Sequence, residues 1–159
     1  MSAETDPIRE LKIRADLRKR ELARRNPPAV VPHRDCLSLV ATELGFSSWG
    51  HARAVLSGDP DVTDFGTLLY PKRCGGHLNH WYRRYEDALT GLERAGGYLL
   101  AYRRDFFVAD RPFIETLGLD PDAPEWRRIG FDWVRPKDRS ARRRLYGALL
   151  AQLPRELAR

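Results

Sequence analysis

The chain has 159 residues, 42% of them hydrophobic and 31% charged, so it is long enough and apolar enough to bury a core and is not a disordered segment. No run approaches the roughly 18 to 20 apolar residues that cross a bilayer, and the start lacks the basic and apolar stretches of a secretory signal, so we expect no membrane partner and a cytoplasmic location. The formal net charge of +6 permits attraction to nucleic acid or to an acidic protein.

The N-terminal third is predicted to hold three short helices. Asp6 can cap a first helix over 7–25, with Pro7 at its first position. Apolar residues recur at helical spacing behind it, at Ile8, Leu11, Ala15 and Leu22. This helix should end before Asn26, because the prolines that follow disfavour helical geometry.

Two further helices follow a proline-rich connector. Apolar residues at i, i+3, i+4 and i+7 predict a second helix that begins near His33 and ends at Gly45. These residues are Leu37, Val40, Ala41 and Leu44. Ser47 or Ser48 can cap a third helix that ends at Gly58. Its buried side is predicted at Trp49, Ala52, Val55 and Leu56.

The second half is predicted to combine strands with helices. Turn residues over 58–64 mark the best candidate for a domain boundary. After them we expect a short strand over 65–70 and a helix whose apolar stripe begins at Trp81 and which Gly96 ends. Aromatic and branched runs on either side of a short polar break predict a β-hairpin over 98–109.

The C-terminal segment is predicted to add two helices and one strand. Asp110 can open a helix that Gly118 closes, and alternating apolar residues suggest a strand over 129–134. Asp138 can cap a final helix that runs to about residue 152, with inward positions at Ala141, Leu145, Ala148 and Leu149. The predicted fold class is α+β, with a three-helix module over 1–58 and a domain over 59–159 in which a small antiparallel sheet packs with two or more helices.

One stretch of the N-terminal third resembles a known module. Residues 32–49 read Pro-His-Arg-Asp-Cys-Leu-Ser-Leu-Val-Ala-Thr-Glu-Leu-Gly-Phe-Ser-Ser-Trp. They lie in a run, from Leu11 to Leu56, that resembles the small helical module attached to bacterial glyoxalase-related proteins. The resemblance implies a basic first helix, a second helix that begins at a histidine and a tryptophan near the start of the third. It implies no glyoxalase chemistry, which belongs to a separate metal-binding domain. The remainder of the chain resembles uncharacterised bacterial proteins and implies no activity.

Basic residues form two clusters, one on the first helix and one around the start of the last. Of the 28 basic residues 24 are arginine, an excess that a GC-rich coding bias also produces. Positive charge near a helix N-terminus opposes the helix dipole, which favours a phosphate-facing role for the second cluster over a stabilising one. The residues predicted to contact nucleic acid are Arg18, Lys19, Arg20, Arg24, Arg25, Arg139, Arg142 and Arg143, with Arg135, Lys137 and Arg144 beside the last three. A solvated basic face is the structural alternative for both clusters.

The second and third helices have the spacing of a helix-turn-helix motif. Ala41 and Gly45 lie four residues apart, as that motif requires. Trp49 and His51 argue against it, because the motif normally shows a polar residue at the first of these positions and buries an aliphatic residue at the second. A packed interaction module is the alternative.

Two residue pairs have the spacing of zinc ligands. His33 and Cys36 are three positions apart, as are Cys74 and His77, and His80 offers a further imidazole. A structural zinc ion is therefore a hypothesis, with buried reduced thiols as its alternative.

A small enzyme site is a further hypothesis. His77, His80 and Arg84 would meet near the predicted hairpin, with Arg83 and Asp105 as neighbours, and histidines are the usual general acids and bases. The sequence contains no phosphate-cradling glycine loop and no nucleophile elbow.

The preferred hypothesis is a non-catalytic binding or regulatory protein whose acidic partner is nucleic acid. A protein–protein adaptor and the small enzyme are the alternatives. The aromatic residues between Trp81 and Trp133, Tyr85 and Phe106 among them, would stack bases beside arginines in a single-strand binder, but core packing is the first explanation for them.

Overall fold

The structure is a computed structural model that describes residues 6–155. Within that range the chain forms seven α-helices, three strands and one 3₁₀ turn at Lys72–Cys74. The helices are α1 Pro7–Arg24, α2 His33–Glu43, α3 Trp49–Ser57, α4 Tyr85–Ala95, α5 Arg111–Leu117, α6 Pro124–Arg128 and α7 Arg139–Gln152. The strands are β1 His80–Tyr82, β2 Tyr98–Tyr102 and β3 Asp105–Ala109. The predicted α+β class is confirmed.

Capping residues account for the start of α1 and for both ends of α3. The Asp6 side chain accepts a hydrogen bond from the Ile8 amide (3.0 Å), and the Ser48 hydroxyl accepts one from the His51 amide (3.0 Å). Gly58 ends α3 in the left-handed conformation that glycine adopts readily. The three predicted helices are therefore present with nearly the predicted bounds.

The three strands form one antiparallel sheet in the order β1-β3-β2. The hairpin of β2 and β3 was predicted and is confirmed, with Tyr102 paired to Asp105 at its turn. The outer edge of β2 is covered by the chain around Asp132: the Leu99 amide donates to the Phe131 carbonyl (2.8 Å), and the Trp133 amide donates to the Leu99 carbonyl (2.9 Å).

The two faces of the sheet belong to two clusters of buried side chains. Tyr85, Ala88 and Leu92 of α4 pack against Leu99 and Val108 on one face. The other face joins a larger cluster that also contains buried residues of α1, α2, α3, α5 and α7. The helices of the N-terminal third thus share a hydrophobic core with the sheet.

The predicted strand over 65–70 is wrong. Phe65 and Gly66 form backbone hydrogen bonds with Arg103 in the hairpin turn: the Phe65 amide donates to the Arg103 carbonyl (2.9 Å), and the Arg103 amide donates to the Gly66 carbonyl (2.8 Å). The ladder stops there, since Gly66 has a φ of +69° and the chain turns at Thr67. The apolar residues of this segment are buried in a loop instead of a strand.

Two other predicted boundaries need correction. Trp81 is not part of α4 but lies in β1, where it pairs with Phe107. The predicted strand over 129–134 is absent, because Gly130 and Phe131 have positive φ angles and only Asp132 forms a bridge to the sheet.

Two smaller details of the C-terminal segment also differ from the prediction. Residues Pro124–Arg128, which lie between the helix that Gly118 closes and the predicted strand over 129–134, form α6, and this helix was not predicted. Ala148 of α7 is exposed, whereas Leu145 and Leu149 are buried as predicted. In the described range no helix combines the length and apolarity needed to span a membrane.

Candidate anion-binding site

The basic residues of α1 are partly neutralised by carboxylates. Arg18 donates two hydrogen bonds to the carboxylate of Glu43, at 2.6 and 2.8 Å, and Arg25 pairs with Glu21 at 3.4 Å. Lys19, Arg20 and Arg24 are exposed and form no ion pair with another residue in 6–155. Two of the five basic residues predicted to contact nucleic acid from this segment are thus occupied by intramolecular ion pairs.

The basic end of α1 lies far from the start of α7. Arg143 donates to the Asp6 carboxylate (3.1 Å) at the beginning of α1, whereas Arg14 donates to carbonyls at the end of α7, including that of Leu150 (2.7 Å). The two helices therefore run side by side in the same direction. Arg20 is 14 residues beyond Asp6, about 20 Å along a helix. The two basic clusters do not form one continuous surface, contrary to the assumption behind the nucleic-acid hypothesis.

The third helix offers little for reading base edges. Its exposed residues are Gly50, Arg53 and Ser57. The start of α3 is tied to the following loop, because His51 Nδ1 accepts from the Ser47 amide (2.9 Å) and its Nε2 then donates to the Asp64 carbonyl (2.6 Å). A recognition helix would have to present this same end to the major groove.

Four arginines line a cavity of about 560 Å³ between the end of α3, the hairpin and the start of α7. Its other charged residue is one carboxylate, that of Asp59. The arginines are Arg104, Arg135, Arg139 and Arg142. We call this space the arginine cavity. An excess of guanidinium groups in one concave site attracts anions, because the walls reduce screening by water.

Arg142 is the buried member of the group, with 7% of its surface exposed. Its Nη1 donates to the carbonyls of Trp133 (3.0 Å) and Val134 (3.2 Å), and its other nitrogens donate to no residue in 6–155. No carboxylate in that range forms an ion pair with it, although Asp132 acts on it through space. Burial lowers the pKa of Arg142, because water is withdrawn from its charge.

Gly58 makes room for this guanidinium. A Cβ atom built on Gly58 would lie 2.9 Å from Arg142 Nη2, and the residue has a φ of +83°. A smaller space of about 90 Å³ beside it is lined by Ser57, Arg139 and Ser140 as well as Arg142. The Nη2 edge of Arg142 therefore faces the turn after α3 and the first turn of α7.

Tyr85, one of the residues that line the arginine cavity, is held by a hydrogen bond to Asp132. The Tyr85 hydroxyl donates a short hydrogen bond to Asp132, whose other oxygen accepts from the amides of Val134 (2.9 Å) and Arg135 (3.0 Å). Burial raises the pKa of Asp132, and burial also raises the pKa of Tyr85, so the hydroxyl keeps its proton. Arg135 lies over the ring of Tyr85, with its guanidinium carbon 4.0 Å from the ring centroid.

The predicted zinc ligands are not brought together. The described residues contain no group of three or more histidine, cysteine and acidic side chains that could hold a metal ion. Cys36 and Cys74 are both buried as free thiols. His33 lies 3.4 Å from the Asp16 carboxylate, and His77 contacts the Thr116 hydroxyl at 2.9 Å.

The candidate catalytic residues lie on different sides of the sheet. His77 contacts Phe113 of the larger cluster, whereas His80 is paired with Val108, which faces α4. A cavity of about 1270 Å³ lies beside α4, and His80 lines it. Neither His77 nor Arg84 lines this cavity. Arg84 is exposed at the N-terminal boundary of α4, and the exposed Asp105 begins β3. The geometry thus provides no positioned acid–base pair among these residues.

The sequence prediction missed Arg104 and the burial of Arg142. One signal was present for the second: Arg142, Leu145, Tyr146 and Leu149 follow the i, i+3, i+4, i+7 pattern, so the arginine lies on the apolar stripe. No local pattern could identify Arg104, because its proximity to α7 depends on how the hairpin packs.

Comparison of the chain with protein-family models, curated proteins and solved structures finds no match. The resemblance of the N-terminal third to the glyoxalase-associated module therefore stays a prediction.

Proposed function

We propose that this protein is a non-catalytic binding protein for a phosphate-bearing ligand, with nucleic acid as the favoured source, and that the ligand occupies the arginine cavity. The observation that carries the proposal is Arg142, a buried guanidinium without a carboxylate partner among residues 6–155. A buried unpaired charge is costly to a folded protein. A bound anion supplies the missing counter-charge.

Phosphate suits this cavity better than other anions do. Guanidinium groups present planar pairs of N–H donors that match phosphate oxygens, and several donors can share one phosphate. Arg139 adds a second donor at the first turn of α7, where the exposed amides and the helix dipole also favour negative charge. The basic end of α1 is not part of this site, because Arg20 lies about 20 Å along the helix from Asp6, which contacts the start of α7.

The test is calorimetric titration of the full chain with inorganic pyrophosphate at low salt. We expect binding to the wild-type protein that weakens as salt is added, because ions compete for the arginines. Arg139→Gln and Arg135→Gln each remove one exposed guanidinium group with its positive charge, and each should weaken pyrophosphate binding by roughly tenfold.

The matched controls are Arg20→Gln and Arg24→Gln, which remove the same charge from exposed positions on α1. They should bind pyrophosphate as the wild type does. Equal losses in the cavity and control variants would reduce the effect to net charge and overturn the proposal. Binding of poly-glutamate in place of pyrophosphate would assign the cavity to an acidic protein instead.

A further inference from the structure

The arginine cavity has apolar and aromatic walls as well as charge. Val55 and Val62 line it from the N-terminal side, and Phe106, Val134 and Tyr85 line it from the sheet side. A site for inorganic phosphate alone needs hydrogen-bond donors and positive charge, and it needs no apolar walls. A volume of about 560 Å³ with such walls is in the usual size range of small-molecule sites.

Arg135 and Tyr85 form a layered surface in this cavity. The exposed guanidinium lies over the phenol ring at 4.0 Å, and Phe106 meets the same ring edge to face at 6.0 Å between centroids. The Tyr85 ring stabilises this position of the Arg135 guanidinium, because a cation is attracted to an aromatic face. Unstacked nucleobases bind on the planes of arginine side chains and of aromatic rings.

The arginine cavity contains one carboxylate as well as its arginines. Arg139 and Arg142 lie at the start of α7, with Gly58 leaving space beside Arg142 Nη2. The one carboxylate, Asp59, lies on the loop after α3, where it repels a phosphate but accepts hydrogen bonds from N–H groups. Nucleobases carry such groups, whereas pyrophosphate does not.

Resting on the proposed function, we infer that the ligand is a nucleotide with an unpaired base, whose phosphate binds Arg142 and Arg139 and whose base stacks on Arg135. Such a nucleotide comes from a single strand or is free in solution. Duplex DNA does not present one, since its bases are paired and stacked.

The test compares two fluorescent 15-mers by anisotropy: oligo-dT and a strand of the same length in which every base is missing. Both carry the same phosphates, so a site for phosphate alone binds them equally. We expect the full chain to bind oligo-dT roughly tenfold more tightly, because one stacked base contributes that much. Thymidine monophosphate is added as a competitor.

Competition by the mononucleotide assigns the site to free nucleotides, and preference for oligo-dT without competition assigns it to single strands; both outcomes support the inference. Equal affinity for the two 15-mers overturns the inference and leaves the proposed function intact. Failure of both 15-mers and of pyrophosphate to bind overturns the proposed function as well.

A charge-conserving variant tests the stacking surface itself. Arg135→Lys keeps the positive charge but removes the planar guanidinium on which a base would stack. The ratio of the affinities for oligo-dT and for the base-free strand should therefore fall about fivefold or more. The affinity for the base-free strand should stay unchanged. Arg103→Lys is the matched control and should leave the preference unchanged, since Arg103 is an exposed arginine that lies over the Tyr102 ring at 5.6 Å but does not line the arginine cavity. An unchanged preference in Arg135→Lys contradicts the inference.

Discussion

Arg14 and Arg142 are both buried on the apolar stripes of their helices, but their surroundings differ. Arg14 pairs with Glu10 (3.2 Å) and donates to the carbonyls of Leu150, Leu153 and Pro154 at 2.7 to 3.0 Å. It thereby binds carbonyls at and just beyond the C-terminal end of α7, where the amides that would continue the helical hydrogen bonds are missing. Arg142 has two carbonyl partners and no ion pair among the described residues.

The electrostatics of Glu10 reinforce this difference. Burial acts to raise the pKa of Glu10, but the hydrogen bond from Arg155 and the charges of Arg155 and Arg14 together lower it. The carboxylate therefore stays ionised and balances Arg14. Asp132, which acts on Arg142 through space, has a raised pKa because burial disfavours its charge, so it balances Arg142 less well than Glu10 balances Arg14.

We predict that Arg14→Met and Arg142→Met have different effects on stability. Arg14→Met should lower the free energy of unfolding by about 3 to 4 kcal/mol, because it leaves Glu10 buried with less compensation. Arg142→Met should change it by no more than about 1 kcal/mol, because relief of an uncompensated charge offsets the two lost hydrogen bonds. Urea unfolding in anion-poor buffer measures both values.

The same unfolding measurement repeated with pyrophosphate tests whether Arg142 binds an anion. Pyrophosphate should raise the unfolding midpoint of the wild type and not that of Arg142→Met, since only the folded wild type binds it. A loss of stability in Arg142→Met as large as that in Arg14→Met would assign Arg142 a structural role and remove the main argument for an anion site.

At the scale of elements, the site depends on how α3 ends and how α7 begins. Gly58 ends α3 in a left-handed conformation beside Arg142, and Asp138 caps α7 by accepting from the Ala141 amide (3.1 Å). The cap leaves Arg139 at the first helical position, where positive charge opposes the helix dipole. The unfavourable position of Arg139 for helix stability is consistent with a role in binding.

We predict that Gly58→Ala weakens anion binding whereas Gly118→Ala does not. Both glycines end a helix with positive φ, +83° and +98°, so both alanine variants should lose about 1 kcal/mol of stability. A Cβ at Gly58 pushes on Arg142, whereas a Cβ at Gly118 meets only the side chain of Gln152. Titration with pyrophosphate should show the difference, and equal affinities in the two variants would contradict it.

At the scale of the whole molecule, the arginine cavity needs both parts of the chain. Val55 and Gly58 come from the N-terminal third, and Phe106 and Arg139 come from the rest. One cluster of buried side chains extends from Leu11 through both parts. The contacts of Arg14 with the end of α7 add a polar connection between them.

We therefore predict that the full chain unfolds in one cooperative transition. In a Trp49→Phe variant the remaining tryptophans, Trp81, Trp126 and Trp133, report on residues 59–159, whereas far-ultraviolet circular dichroism reports on the helices of both parts. The two urea transitions should coincide, because the parts share a core. Separate transitions would instead support the predicted division into 1–58 and 59–159.

The sequence alone determined most helix ends and the hairpin, because these depend on interactions within a few residues. Asp6 and Asp138 cap helices where predicted, and Gly118 closes α5. The same local reasoning failed over 65–70 and 129–134, where apolar residues needed for the core lie in bent backbone. Apolar runs indicate burial, but hydrogen bonding to a distant partner decides whether a run is a strand.

The candidate site was decided by tertiary structure. Arg139 and Arg142 were predicted to bind an anion, with Arg135 in the same cluster, but their separation from Arg20 and the proximity of Arg104 were not predicted. The sequence gives the number of charged residues, but not which of them lie together on the folded protein. That depends on which distant segments pack together and on which carboxylates contact each arginine. The burial of Arg142 without a carboxylate partner in the described range is a property of that packing, and the functional proposal depends on it.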